Sequence, residues 1–176
     1  MILRKINAIL SLLTTALLMN HAIFHAVWML SMGTITKNAN NMSLILFILM
    51  ILHAIISIVL AFLGHKGAEK RKCNDYPDMN RTTYIQRASG VLLIFLTVLH
   101  IAGTTGILQP PKLVHSILPP TFFAISLIHA AISTSKAFIT LGIGNKVFVK
   151  TADIMMKLIC TITLIAAVAG FYLYLV

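Results

Sequence analysis

Leu52-His53-Ala54-Ile55-Ile56-Ser57 returns as Ile128-His129-Ala130-Ala131-Ile132-Ser133, and both copies run on to an Ala-Phe pair, Ala61-Phe62 and Ala137-Phe138. Both copies lie deep inside long apolar stretches. An imidazole is costly in hydrocarbon, and an ionisable residue there is a functional-site candidate by default. Each histidine has a small residue one helical turn later, Ser57 and Ser133. The two copies therefore read as two sides of one metal-centre pocket.

The surrounding composition fits that reading. Apolar residues make up 59% of the 176 residues and charged residues 10%. A soluble domain carries about 45–50% apolar and about 25% charged residues. The chain reads as an all-α integral membrane bundle, a single domain over residues 1–176. Its net charge of +10 would suit nucleic acid in a soluble protein. Here the basic residues fall between the apolar stretches rather than on one face, which argues against that partner. Cys73 in a basic loop and Cys160 in an apolar segment make neither a disulfide framework nor a zinc motif.

Five segments are long and apolar enough to cross a bilayer, which needs roughly 20 residues each. They are about 6–32, 42–64, 83–106, 114–141 and 151–175. Helix is the economical choice, because backbone groups in lipid must be satisfied within the segment. The basic start, Arg4 and Lys5, followed by an apolar run also suits a signal peptide. That run is too long for a signal core and reads as a retained first helix. Pro110-Pro111 and Pro119-Pro120 punctuate the approach to the fourth segment, and Gly142 and Gly144 end it.

Orientation follows from the cations. Arg4, Lys5, the cluster from Lys66 to Lys72, Arg81, Arg87, Lys136, Lys146, Lys150 and Lys157 fall at or near one side, and only Lys37 and Lys112 at the other. Positive loops stay inside, so the N-terminus is expected in the cytoplasm and the C-terminus outside. The largest inner loop, His65 to Thr82, carries both signs of charge. It suits a soluble docking partner, and an ordinary positive-inside loop equally well.

Depth organises the histidines. Equal residue counts from one membrane face mean equal depth, so His53 at about eleven residues and His129 at about twelve from the inner ends are level. His100 at about six and His25 at about seven residues from the outer ends are level too. His21 lies one turn deeper than His25 and is its alternative. Two level pairs from four consecutive helices is the arrangement for two bis-histidine haems. Low-spin b haem takes two axial imidazoles, and facing helices of a bundle supply them. A single intramembrane histidine is more often an interhelical hydrogen-bonding residue; four at paired depths are harder to explain that way. Ser57 and Ser133 lie on the same faces as their histidines and leave room for a flat macrocycle. Propionates need basic or hydroxyl partners, for which Arg87, Ser89, Lys136 and Lys157 are candidates. Snorkelling at a helix end explains Lys157 as readily.

Gln86-Arg87-Ala88-Ser89-Gly90 followed by an apolar run to His100 resembles the Gln-Arg-x-Thr/Ser-Gly…His segment of the succinate dehydrogenase and fumarate reductase cytochrome b subunits. The nearest type is the single-chain, five-helix, dihaem b558 form. Ser11-Leu12-Leu13…His25 resembles that family's first helix, Leu52-His53-Ala54 its second, and Ile128-His129 through Leu141-Gly142-Ile143 its fourth. The resemblance implies a multi-pass anchor in the cytoplasmic membrane for a flavoprotein (FAD) subunit and an iron–sulfur subunit. Electrons would pass between menaquinone and the iron–sulfur clusters through two haems b. It further implies that His53 and His129 hold the inner haem, that His25 and His100 hold the outer one, and that Arg87 serves a propionate.

Three departures stand out. The loops are short, serine replaces the usual glycine after the second- and fourth-helix histidines, and no Glu or Asp lies in the middle of a span. A transmembrane carboxylate relay is therefore not supported, and quinone protons would come from the nearer aqueous side. Asn20, His21 and Trp28 are weak candidates for a quinone site. The competing readings are the anchor of a hydrogenase or formate dehydrogenase, a small histidine-relay transporter, and an anchor that holds no haem. The transporter lacks acidic partners and broken helices.

Overall fold

The computed structural model describes residues 2–31, 40–70, 81–107 and 112–175, with side chains described over 2–31, 43–63, 82–103, 105–107 and 117–173. Five α-helices follow in order: α1 Ile2–Leu30, α2 Asn40–Lys70, α3 Arg81–Thr104, α4 Lys112–Leu141 and α5 Lys146–Leu175. Each contains a stretch long and apolar enough to cross a membrane, the architecture of a multi-pass membrane protein. The helices outrun the apolar segments at their polar ends, because hydropathy stops at the first lysines while backbone hydrogen bonding does not. Helix α5 begins at Lys146 rather than near 151, and α2 continues to Lys70 rather than 64. Helix α4 runs straight through Pro119 and Pro120, as transmembrane helices tolerate when neighbours re-satisfy the freed carbonyls.

The α4–α5 corner is built from local signals. Gly142 takes φ 72°. Its N–H reaches the Ile139 carbonyl at 3.1 Å, and the Ile143 N–H reaches the Phe138 carbonyl at 3.1 Å. That paired return is a Schellman motif, which needs a left-handed residue after the helix. Asn145 then caps α5, its Oδ1 accepting the Phe148 N–H at 2.9 Å. An asparagine there satisfies one of the orphan N–H groups of the first turn.

Helices α1, α4 and α5 pack mutually, whereas among the described residues α2 packs substantially only on α1, and α3 only on α4. Burial follows: 6% of the α2 and α3 spans is buried within the chain, against 28–33% of the others. The centre is Met19, Leu127, Ala131 and Cys160, with Phe123, Met156 and Leu164 against them. Helix α1 buries Ala8, Ser11, Thr15, Met19, Ala22 and Ala26, one stripe at three- and four-residue spacing. Small residues let transmembrane backbones approach where no hydrophobic driving force separates lipid from protein. Gly170 is the extreme case, since a Cβ there would lie 2.9 Å from Met29 Cβ and 3.2 Å from the Leu30 backbone nitrogen.

Polar contacts set the registers. The Ser57 hydroxyl donates to Asn7 Oδ1 at 3.2 Å, and the Ser43 hydroxyl lies 3.5 Å from His21 Nδ1, so α1 and α2 run antiparallel. Ser133 faces Gln86 and His129 faces Ser89, so α3 and α4 are antiparallel too. Helix α5 runs parallel to α1, with Cys160 beside Met19 and Gly170 beside Met29. The chain is thus two helical hairpins, α1–α2 and α3–α4, joined through α1 and α4 and backed by α5.

Candidate functional site

The best-defined site lies along the α3–α4 seam. His129 on α4 points at the Ser89-Gly90 step of α3. Its Nδ1 lies 2.9 Å from Ser89 Oγ. A Cβ on Gly90 would stand 3.2 Å from His129 Cε1 and 3.8 Å from Nδ1. The imidazole therefore occupies the space that glycine leaves on α3. The Ser89 hydroxyl donates to the Gln86 carbonyl at 3.0 Å.

One turn toward the start of α3, a polar cluster clamps the two helices. Lys136 Nζ donates to Gln86 Oε1 at 2.7 Å and to Thr83 Oγ1 at 2.9 Å. Gln86 Nε2 donates to Ser133 Oγ at 3.1 Å. Both partners of Lys136 are neutral oxygens, and Arg87 stands near enough to repel its charge. Arg87 itself is exposed, on the α3 face that also carries Tyr84, Ala88, Val91, Leu92 and Phe95.

His53 on α2 comes within electrostatic range of His129. The His53 ring lies against the Asn7 backbone, yet its Nδ1 is buried with no hydrogen-bond partner. A buried polar atom left without a partner calls for an explanation, and an uncounted ligand is one.

The other pair has different surroundings. His100 stacks on Phe122 of α4, ring centroids 4.9 Å apart and planes 20° from parallel. His25 sits in an aromatic cluster on α1, with His21 at 4.3 Å, Phe24 at 6.2 Å and Trp28 at 6.5 Å between centroids. His21, one turn deeper, turns its Nδ1 toward Ser43 of α2.

The remaining sequence candidates are placed as follows. Ser57 and Ser133 both serve helix pairing, through Asn7 and Gln86. Lys136 is anchored on α3. Lys157 pairs with Asp153 four residues earlier on α5, so its charge is already balanced. Sequence reasoning overlooked Asn7 and Thr83 as partners. The available signal was a polar side chain on a membrane helix, which needs a partner on a neighbour. Among the described residues no three of His, Cys, Asp and Glu converge as a metal cage. Compared with known proteins, the chain matches no family model, no curated protein and no solved structure.

Proposed function

We propose that this chain is the dihaem cytochrome b membrane-anchor subunit of a succinate dehydrogenase/fumarate reductase-type complex, in the cytoplasmic membrane with its N-terminus inside. It would carry electrons between membrane quinone, menaquinone by resemblance, and an iron–sulfur subunit docked with its flavoprotein on the cytoplasmic side. The observation that carries the reading is the buried Nδ1 of His53, which has no hydrogen-bond partner, in a repeat whose other histidine, His129, is seated against Ser89 and Gly90.

The residues present fit a haem in two respects. His53 keeps a buried nitrogen without a partner. Lys136 offers a cation whose hydrogen-bond partners are neutral oxygens. On this reading His53 and His129 would hold the inner haem, and His25 and His100 the outer one. Arg87 and Lys136 are the propionate partners, while Lys157, already neutralised by Asp153, contributes least. When bound, haem b supplies a one-electron iron couple. The chain's own residues hold and orient the ligands, and the apolar spans exclude water from them. Its partners carry the organic redox chemistry.

The test is a reduced-minus-oxidised spectrum with pyridine haemochrome quantitation on the purified complex. Two haems b per chain are expected. No haem would overturn the proposal in favour of an anchor without haem or a histidine-relay transporter.

A further inference from the structure

We propose that Ser89 is a positioning residue that fixes which nitrogen of His129 is free to bind iron. The inference rests on the haem reading for its consequence, but the tautomer itself belongs to this chain alone. A serine hydroxyl has one proton. Ser89 spends it on the Gln86 carbonyl at 3.0 Å. The 2.9 Å contact between Ser89 Oγ and His129 Nδ1 then requires the imidazole to be the donor. A neutral imidazole carries one N–H, so His129 holds its proton on Nδ1 and its lone pair on Nε2.

The relay is held in place from behind. The Gln86 side chain is fixed at both ends, its Nε2 on Ser133 and its Oε1 accepting from Lys136. That clamp keeps the α3 turn carrying the Gln86 carbonyl against α4. The carbonyl orients the Ser89 hydroxyl and also lies within reach of the imidazole itself, while the hydroxyl accepts from the ring at 2.9 Å. Gly90, next in sequence, lets the ring come close enough for the bond. Ligating histidines commonly donate their second N–H to such a partner, which sets the ring's orientation and raises its basicity. The Gln86…Ser89-Gly90 spacing therefore acts on His129, a residue 39 positions away from Gly90 on the facing helix.

The test uses the full chain, labelled with 15N-histidine, in lipid nanodiscs without added haem. The wild type and Ser89→Thr are expected to show His129 protonated on Nδ1, with the resonance assigned by its loss in His129→Gln. Ser89→Ala is expected to shift the tautomer ratio toward Nε2–H by about fivefold, the worth of one hydrogen bond. Circular dichroism checks that the variants fold alike. A wild type protonated on Nε2, or an unchanged ratio in Ser89→Ala, overturns the proposal. In the haem-loaded complex the midpoint potential of the haem that His129→Gln removes should rise in Ser89→Ala and return in Ser89→Thr. A complex that takes up no haem sinks the functional reading and leaves the tautomer result standing by itself.

Discussion

Replacing Gly90 by alanine isolates the seat of His129. The new Cβ would lie 3.2 Å from Cε1 and 3.8 Å from Nδ1. Carbon pairs rest at about 3.5–4.0 Å, so the ring must retreat by about 0.3–0.8 Å. Overpacking of this kind costs about 1–3 kcal/mol. Removing a glycine from a helix interior returns about 0.8–1.0 kcal/mol. The net loss is about 0–2 kcal/mol, which moves the unfolding midpoint of a chain this size by no more than about 8 °C. The ring displacement is comparable with the roughly 0.5 Å tolerance of a preorganised ligand set. Gly90→Ala should therefore spare the fold and perturb the site. Gly103→Ala on the same helix is the control, because a Cβ there meets nothing within 4 Å. The assay pairs thermal unfolding with low-temperature difference spectra and redox titration of the purified complex. Loss or displacement of one α-band in Gly90→Ala alone is expected. Identical spectra and potentials in the two variants would show that His129 is not seated on Gly90, and the reasoning would fail.

Three further outcomes follow from the same geometry. His53→Ala and His129→Ala should lose the same haem, and His25→Ala and His100→Ala the other; a His25→Ala complex with both haems, beside a His21→Ala complex with one, would move the ligand to His21. Gly170→Ala should lower the unfolding midpoint, since its Cβ would press on the Met29 side chain and the Leu30 backbone at a cost of about 1–3 kcal/mol; an unchanged midpoint would mean that α1 and α5 are not so close. Asn145→Ala should cost about 1 kcal/mol through loss of the α5 cap, read as a drop in midpoint that Asn145→Ser largely restores.

The number of helices and their apolar cores were legible because lipid demands long uninterrupted stretches, and each stretch is visible by itself. The polar ends were not. Hydropathy stops at Lys146 and Lys150, yet the Gly142 return and the Asn145 cap start α5 at the first of them. Gly142 is legible as the end of α4, and Asn145 is a capping residue type that sits just before the helix it starts. Which helix packs on which was illegible for a physical reason. An isoleucine facing lipid and one facing a neighbour have the same hydropathy, so nothing in α2 or α3 announces that each has one substantial neighbour. The histidines themselves are plain in the sequence. Their partners are not, because Ser89 and Gly90 meet His129 only through the α3–α4 register, which Gln86, Ser133 and Lys136 set across the fold.

The sparse packing between α2 and α3 has a consequence for how the chain can be cut and rejoined. Covalent continuity from Lys70 to Arg81 is not reinforced by a substantial contact between the helices it connects. Association depends instead on α1 meeting α4 and α5. A polypeptide divided in that connection yields one piece with α1 and α2 and another with α3, α4 and α5, each keeping its own hairpin contacts and the shared joint. Co-expression of the two pieces asks whether the contacts of α1 with α4 and α5 are enough to reassemble the bundle in a bilayer.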